Sequence, residues 1–184
     1  MIKKYSKKEI LNYLEEFKLT IPNRLEQAKK LLKKEKLDYS YEEIDAVGHI
    51  YKTYVDERIN SYEWKEPSKK NILIQDENDL LMNANWHDEM FEIFMTYYGQ
   101  AWIEYFGGEW SISTFKKDVF YRFPTIIKWG AESEFNSKLP EAPALVGRAY
   151  EKGHNTLLSD SFKKRVKYYS LSPELNFESK INNK

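Results

Sequence analysis

Cysteine is absent from this chain of 184 residues. Disulfides, thiolate nucleophiles and cysteine-ligated zinc are therefore excluded. Glycine occurs only 7 times, which leaves little material for phosphate-cradling loops. Gly107-Gly108 lacks the wider spacing of either nucleotide-binding motif, and Gly-x-Ser-x-Gly does not occur. Charge of one sign is missing as well. Lys+Arg and Asp+Glu both number 29, so the net charge is zero. Phosphate neutralisation drives most nucleic-acid affinity, so nucleic acid is not the expected partner. No apolar run reaches the roughly 20 residues of a membrane span. No run of 7–15 apolar residues follows Lys3, Lys4, Lys7 and Lys8, as a secretory signal would require. The expectation is a cytoplasmic protein without a membrane association.

What is present is a globular composition, 41% hydrophobic and 16% aromatic. That suits one domain, expected over 1–171, with a polar tail over 172–184. Ser6 with Glu9 forms a capping box ahead of Ile10, Leu11, Leu14 and Phe17, which predicts a helix over 7–18. Thr20-Ile21-Pro22 reads as a second start, with Leu25, Ala28, Leu31 and Leu32 as its stripe. Lys29, Lys30, Lys33, Lys34 and Lys36 cover the rest of that helix and read as a solvated face. Ser40 with Glu43 is a second capping box, opening a helix over 41–58. A wide aromatic stripe between 77 and 106 predicts a central buried helix. Gly99 within it costs about 1 kcal/mol relative to alanine, so another element is expected to approach there.

After Gly107-Gly108 the period changes from 3.6 to 2. Residues 109–113, 119–123 and 125–129 predict an antiparallel meander of two or three strands, with Pro124 at an edge or an end. Helices are expected from Pro143 to about Tyr150, and from Asp160 or Ser161 to about Tyr169. The fold class is α+β, with five or six helices around the meander.

The unit Tyr98-Gly99-Gln100-Ala101-Trp102-Ile103-Glu104-Tyr105-Phe106-Gly107-Gly108-Glu109-Trp110 resembles uncharacterised bacterial families of small α+β proteins. In those, a helix carrying a glycine and a glutamate leads through Gly-Gly-x-Trp into a sheet. The resemblance covers roughly residues 80–155. It implies an α+β fold and no reaction. The Lys-, Asn- and Tyr-rich composition looks like that of a low-GC Gram-positive bacterium or one of its phages.

Candidate chemistry is sparse. His49 lies mid-helix and reads as a partly buried structural residue, and His154 as a surface one. His87 sits in Trp86-His87-Asp88-Glu89, with Glu92 five residues on. Five residues is a poor match to one helix face, so no metal site is expected. Glu104 and Glu109 flank the Gly-Gly turn and are the candidate acid–base pair, with His87, if the protein is an enzyme. No catalytic residue and no cofactor is assigned. Tyr and Trp are favoured at interfaces because they join apolar area to a polar handle. Tyr62, Trp64, Trp110 and Trp129 are the candidate binding residues. The sequence thus points to a non-catalytic protein-binding module, of the immunity, antitoxin or phage-inhibitor kind, whose partner is a toxin or host protein. The competing expectation is a small enzyme or ligand-binding domain with a pocket at the helix–Gly-Gly–sheet junction.

Overall fold

The computed structural model describes residues 6–60, 89–114, 123–129 and 157–170, together with Pro143 and Val146. It is α+β and dominated by helix. Helix α1 spans Lys7–Leu32, α2 Tyr41–Asn60, α3 Glu89–Phe106 and α4 Asp160–Ser170. Strands β1 (Glu109–Ile112) and β2 (Pro124–Ile127) form a two-stranded antiparallel sheet. Four helices among the described residues are fewer than the five or six expected from sequence.

One of the expected breaks is not there. The helix over 7–18 and the one starting near Thr20 are a single helix of 26 residues. Pro22 lies inside it, where proline removes one backbone bond and crowds the preceding turn at a cost of about 3 kcal/mol. The apolar positions explain why the helix continues. Ile10, Leu14, Phe17 and Ala28 are buried, and Ile21 and Leu25 pack beside them, all in phase on one stripe. Breaking the helix at Pro22 would turn one half of that stripe off the core. The Thr20 hydroxyl donates to the Phe17 carbonyl at 2.6 Å, one turn before the proline. The N-terminal capping box is formed as the sequence predicts, with Ser6 and Glu9 bonding each other's backbone N–H.

The other end of α1 closes on Lys33, whose φ of 55° is left-handed. Its N–H and that of Lys34 turn back onto the carbonyls of Lys30 and Lys29. Glycine occupies this position most cheaply. Lys33→Gly is expected to stabilise the protein by about 1 kcal/mol, read as a higher urea midpoint at unchanged slope.

Helix α3 is the centre of the molecule, touching α1, α2 and β2. Twelve of its 18 residues are buried. Phe94, Tyr98, Trp102 and Phe106 recur every fourth position and stack along it, with successive centroids 6.2, 6.0 and 4.5 Å apart. Tyr51 of α2 covers one end of this column, 4.3 Å from Phe94. Phe162 of α4 meets Tyr98, Trp102 and Tyr105 edge-on at 5.2 Å each. Most aromatic side chains among the described residues are thus buried in the core.

Gly107 and Gly108 carry φ of 73° and 103° and turn the chain out of α3 into β1. A Cβ on Gly108 would also meet the Ile127 carbonyl at 2.6 Å. β1 pairs with β2 in the register Trp110 to Ile126 and Ile112 to Pro124, so the proline starts the second strand. Trp110 and Ile112 face inward as the period of two requires. The strand expected over 119–123 falls mostly outside the described residues, as does most of the helix expected after Pro143, of which Pro143 and Val146 are helical. The stripe of 77–88 and the tail of 172–184 also lie outside. Helix α4 begins as expected. Ser159, just before it, donates its N–H and hydroxyl to Asp45 of α2 at 2.8 and 2.7 Å. Among the described residues, no helix is long and apolar enough to cross a membrane.

Candidate functional site

The residues singled out from sequence do not converge. Tyr62, Trp64, His87 and His154 lie outside the described residues. His49 is exposed on α2 rather than partly buried, because it falls on the face opposite Ile44, Val47 and Tyr51. Trp129 was expected at the surface and is instead only 2% exposed. The left-handed Lys128, at φ 55°, ends β2 and turns Trp129 back onto Trp102, 5.2 Å away and nearly perpendicular. The Arg165 guanidinium of α4 lies over the Trp129 ring, 4.7 Å from its centroid. Trp110 is 8% exposed and packs edge-on against Phe17 at 4.9 Å. Both tryptophans are buried against the core.

At the helix–Gly-Gly–sheet junction the two carboxylates have separate surroundings. Glu109 is exposed and paired with Lys128 at 2.7 Å, and that lysine holds its carboxyl below the ordinary range. Glu104 is half-buried, with the Gln100 amide 3.5 Å from its carboxylate. The Trp110 ring fills the space over Gly99, so the approach expected at this glycine is real.

A different carboxylate is the most heavily engaged, and the sequence marked it only as half of a capping box. Glu43 does receive a cap, its N–H donating to the Ser40 hydroxyl at 3.3 Å. Its own carboxylate does not reach back to Ser40. One oxygen accepts from the Tyr39 N–H at 3.0 Å and the Tyr97 hydroxyl at 2.8 Å. The other accepts from Lys34 Nζ at 2.8 Å and the Asp38 N–H at 3.2 Å. Asp38 takes the place expected of Glu43, accepting from the Ser40 N–H at 2.8 Å. The Lys34 ammonium, followed by Ser40, holds the Asp38 carboxyl far below its usual range. Burial, and then the Glu43 carboxylate, push the Tyr97 phenol far up, so it keeps the proton that it donates to Glu43. This cluster ties the loop after α1 to α2 and α3, with Tyr39 left-handed at φ 53°. Every oxygen is occupied by the fold itself, which makes the cluster structural. Distances alone reveal it, since its donors come from positions 34, 38, 39 and 97.

Among the described residues, a groove of about 400 Å³ lies between α1, α2 and α3. Leu31, Tyr54, Met90 and Ile93 supply its apolar lining, and Gln27, Lys30 and Glu89 its polar one. Gln27 donates to the Glu89 carboxylate, fixing α1 to the start of α3. One turn deeper, Arg24 meets Glu92 at 2.6 Å and lies 5.1 Å over Phe17, so the walls are braced. Behind the groove Ala28, Val47, Tyr51 and Phe94 close the packing down to about 10 Å³. Leu31 remains 37% exposed at the mouth, beside Met90 and Tyr54. The sequence assigned Leu31 to the core stripe of α1. It could not reveal the groove, whose walls are far apart in the chain.

Among the described residues, no three His, Asp or Glu side chains are grouped to hold a metal ion. Comparison with protein-family models, with curated proteins and with solved structures finds no match to this chain.

Proposed function

We propose that this protein is a non-catalytic protein-binding module, an inhibitor of the immunity or antitoxin kind that blocks a partner by surface complementarity. The groove between α1, α2 and α3 is where the partner seats. The supporting observation is Leu31, exposed at the mouth of an apolar groove whose walls are braced by the Arg24–Glu92 and Gln27–Glu89 contacts. Such a surface is organised before binding, so little ordering entropy is lost when a partner docks. Tyrosine and methionine in the lining suit it, one by rigid area and the other by adaptable packing.

Affinity capture with the tagged chain tests this reading, with Leu31→Asp as the control. Leu31 is exposed enough that the aspartate should leave the melting temperature within a few degrees of wild type. The expected result is one stoichiometric partner held by the wild type and lost by Leu31→Asp. A partner retained by the variant, or none above background, would overturn the proposal.

A further inference from the structure

We draw no further inference here: the strongest candidate, the groove between α1, α2 and α3 lined by Leu31, Met90 and Ile93, already carries the proposed function, and nothing in the structure shows what covers it.

Discussion

Replacing Glu43 by alanine is expected to destabilise the protein by about 3–5 kcal/mol. The side chain is inaccessible to solvent and accepts from four donors. Alanine would strand the Tyr97 hydroxyl, on a residue with no exposed surface, and the N–H groups of Asp38 and Tyr39. Stranded donors cost about 1–3 kcal/mol each when water cannot reach them. The Lys34 ammonium suffers least, because its side chain is 38% exposed and keeps Asp38 at 2.7 Å. Two controls separate the contributions. Tyr97→Phe removes one donor without stranding the carboxylate, so it should cost only about 1 kcal/mol. Glu43→Gln keeps the shape but sets an NH₂ group against donors, and should fall between the two. Urea unfolding of the three variants checks the order. Near-equal midpoints for Glu43→Ala and Tyr97→Phe would show that the backbone donors and Lys34 contribute little.

Gly99→Ala is expected to cost about 2–3 kcal/mol, several times the usual gain of a helical Gly→Ala change in the opposite direction. A Cβ there would lie well inside contact distance of Trp110 Cη2 and Cζ2, and 3.1 Å from Pro143 Cγ. The indole cannot simply swing away, since Phe17 stands 4.9 Å from it on the other side. The atoms in conflict belong to the six-membered part of the indole, which phenylalanine would not extend so far. Trp110→Phe should therefore relieve Gly99→Ala, and the double variant should be at least 1 kcal/mol more stable than the two single losses added together. A strictly additive double variant would mean the helix backbone moves instead of the ring.

The local elements followed from the sequence where neighbouring residues carry the physics. The capping box at Ser6 and Glu9 formed as read, because both partners lie within one turn. The change of period at Gly107-Gly108 marked the passage from α3 to β1, since glycine alone enters those φ values freely. Gly99 announced a close neighbour, although not that it would be Trp110. Pro22 misled in the same local terms: its cost is real, and only the shared core face of Ile10, Leu14, Phe17 and Ala28 outweighs it.

The tertiary structure alone decided which polar and aromatic groups are inside. Glu43 and Trp129 each look like surface residues over a window of ten positions. One is buried because donors from the preceding loop are joined by Tyr97 of α3, the other because Lys128 reverses the chain onto Trp102. The groove is likewise a property of packing, assembled from positions as distant as Gln27 and Ile93. Periodicity and capping depend on contacts within a few residues and are written in order along the chain. Burial and cavity shape depend on which distant surfaces meet, and no short stretch of sequence holds that information.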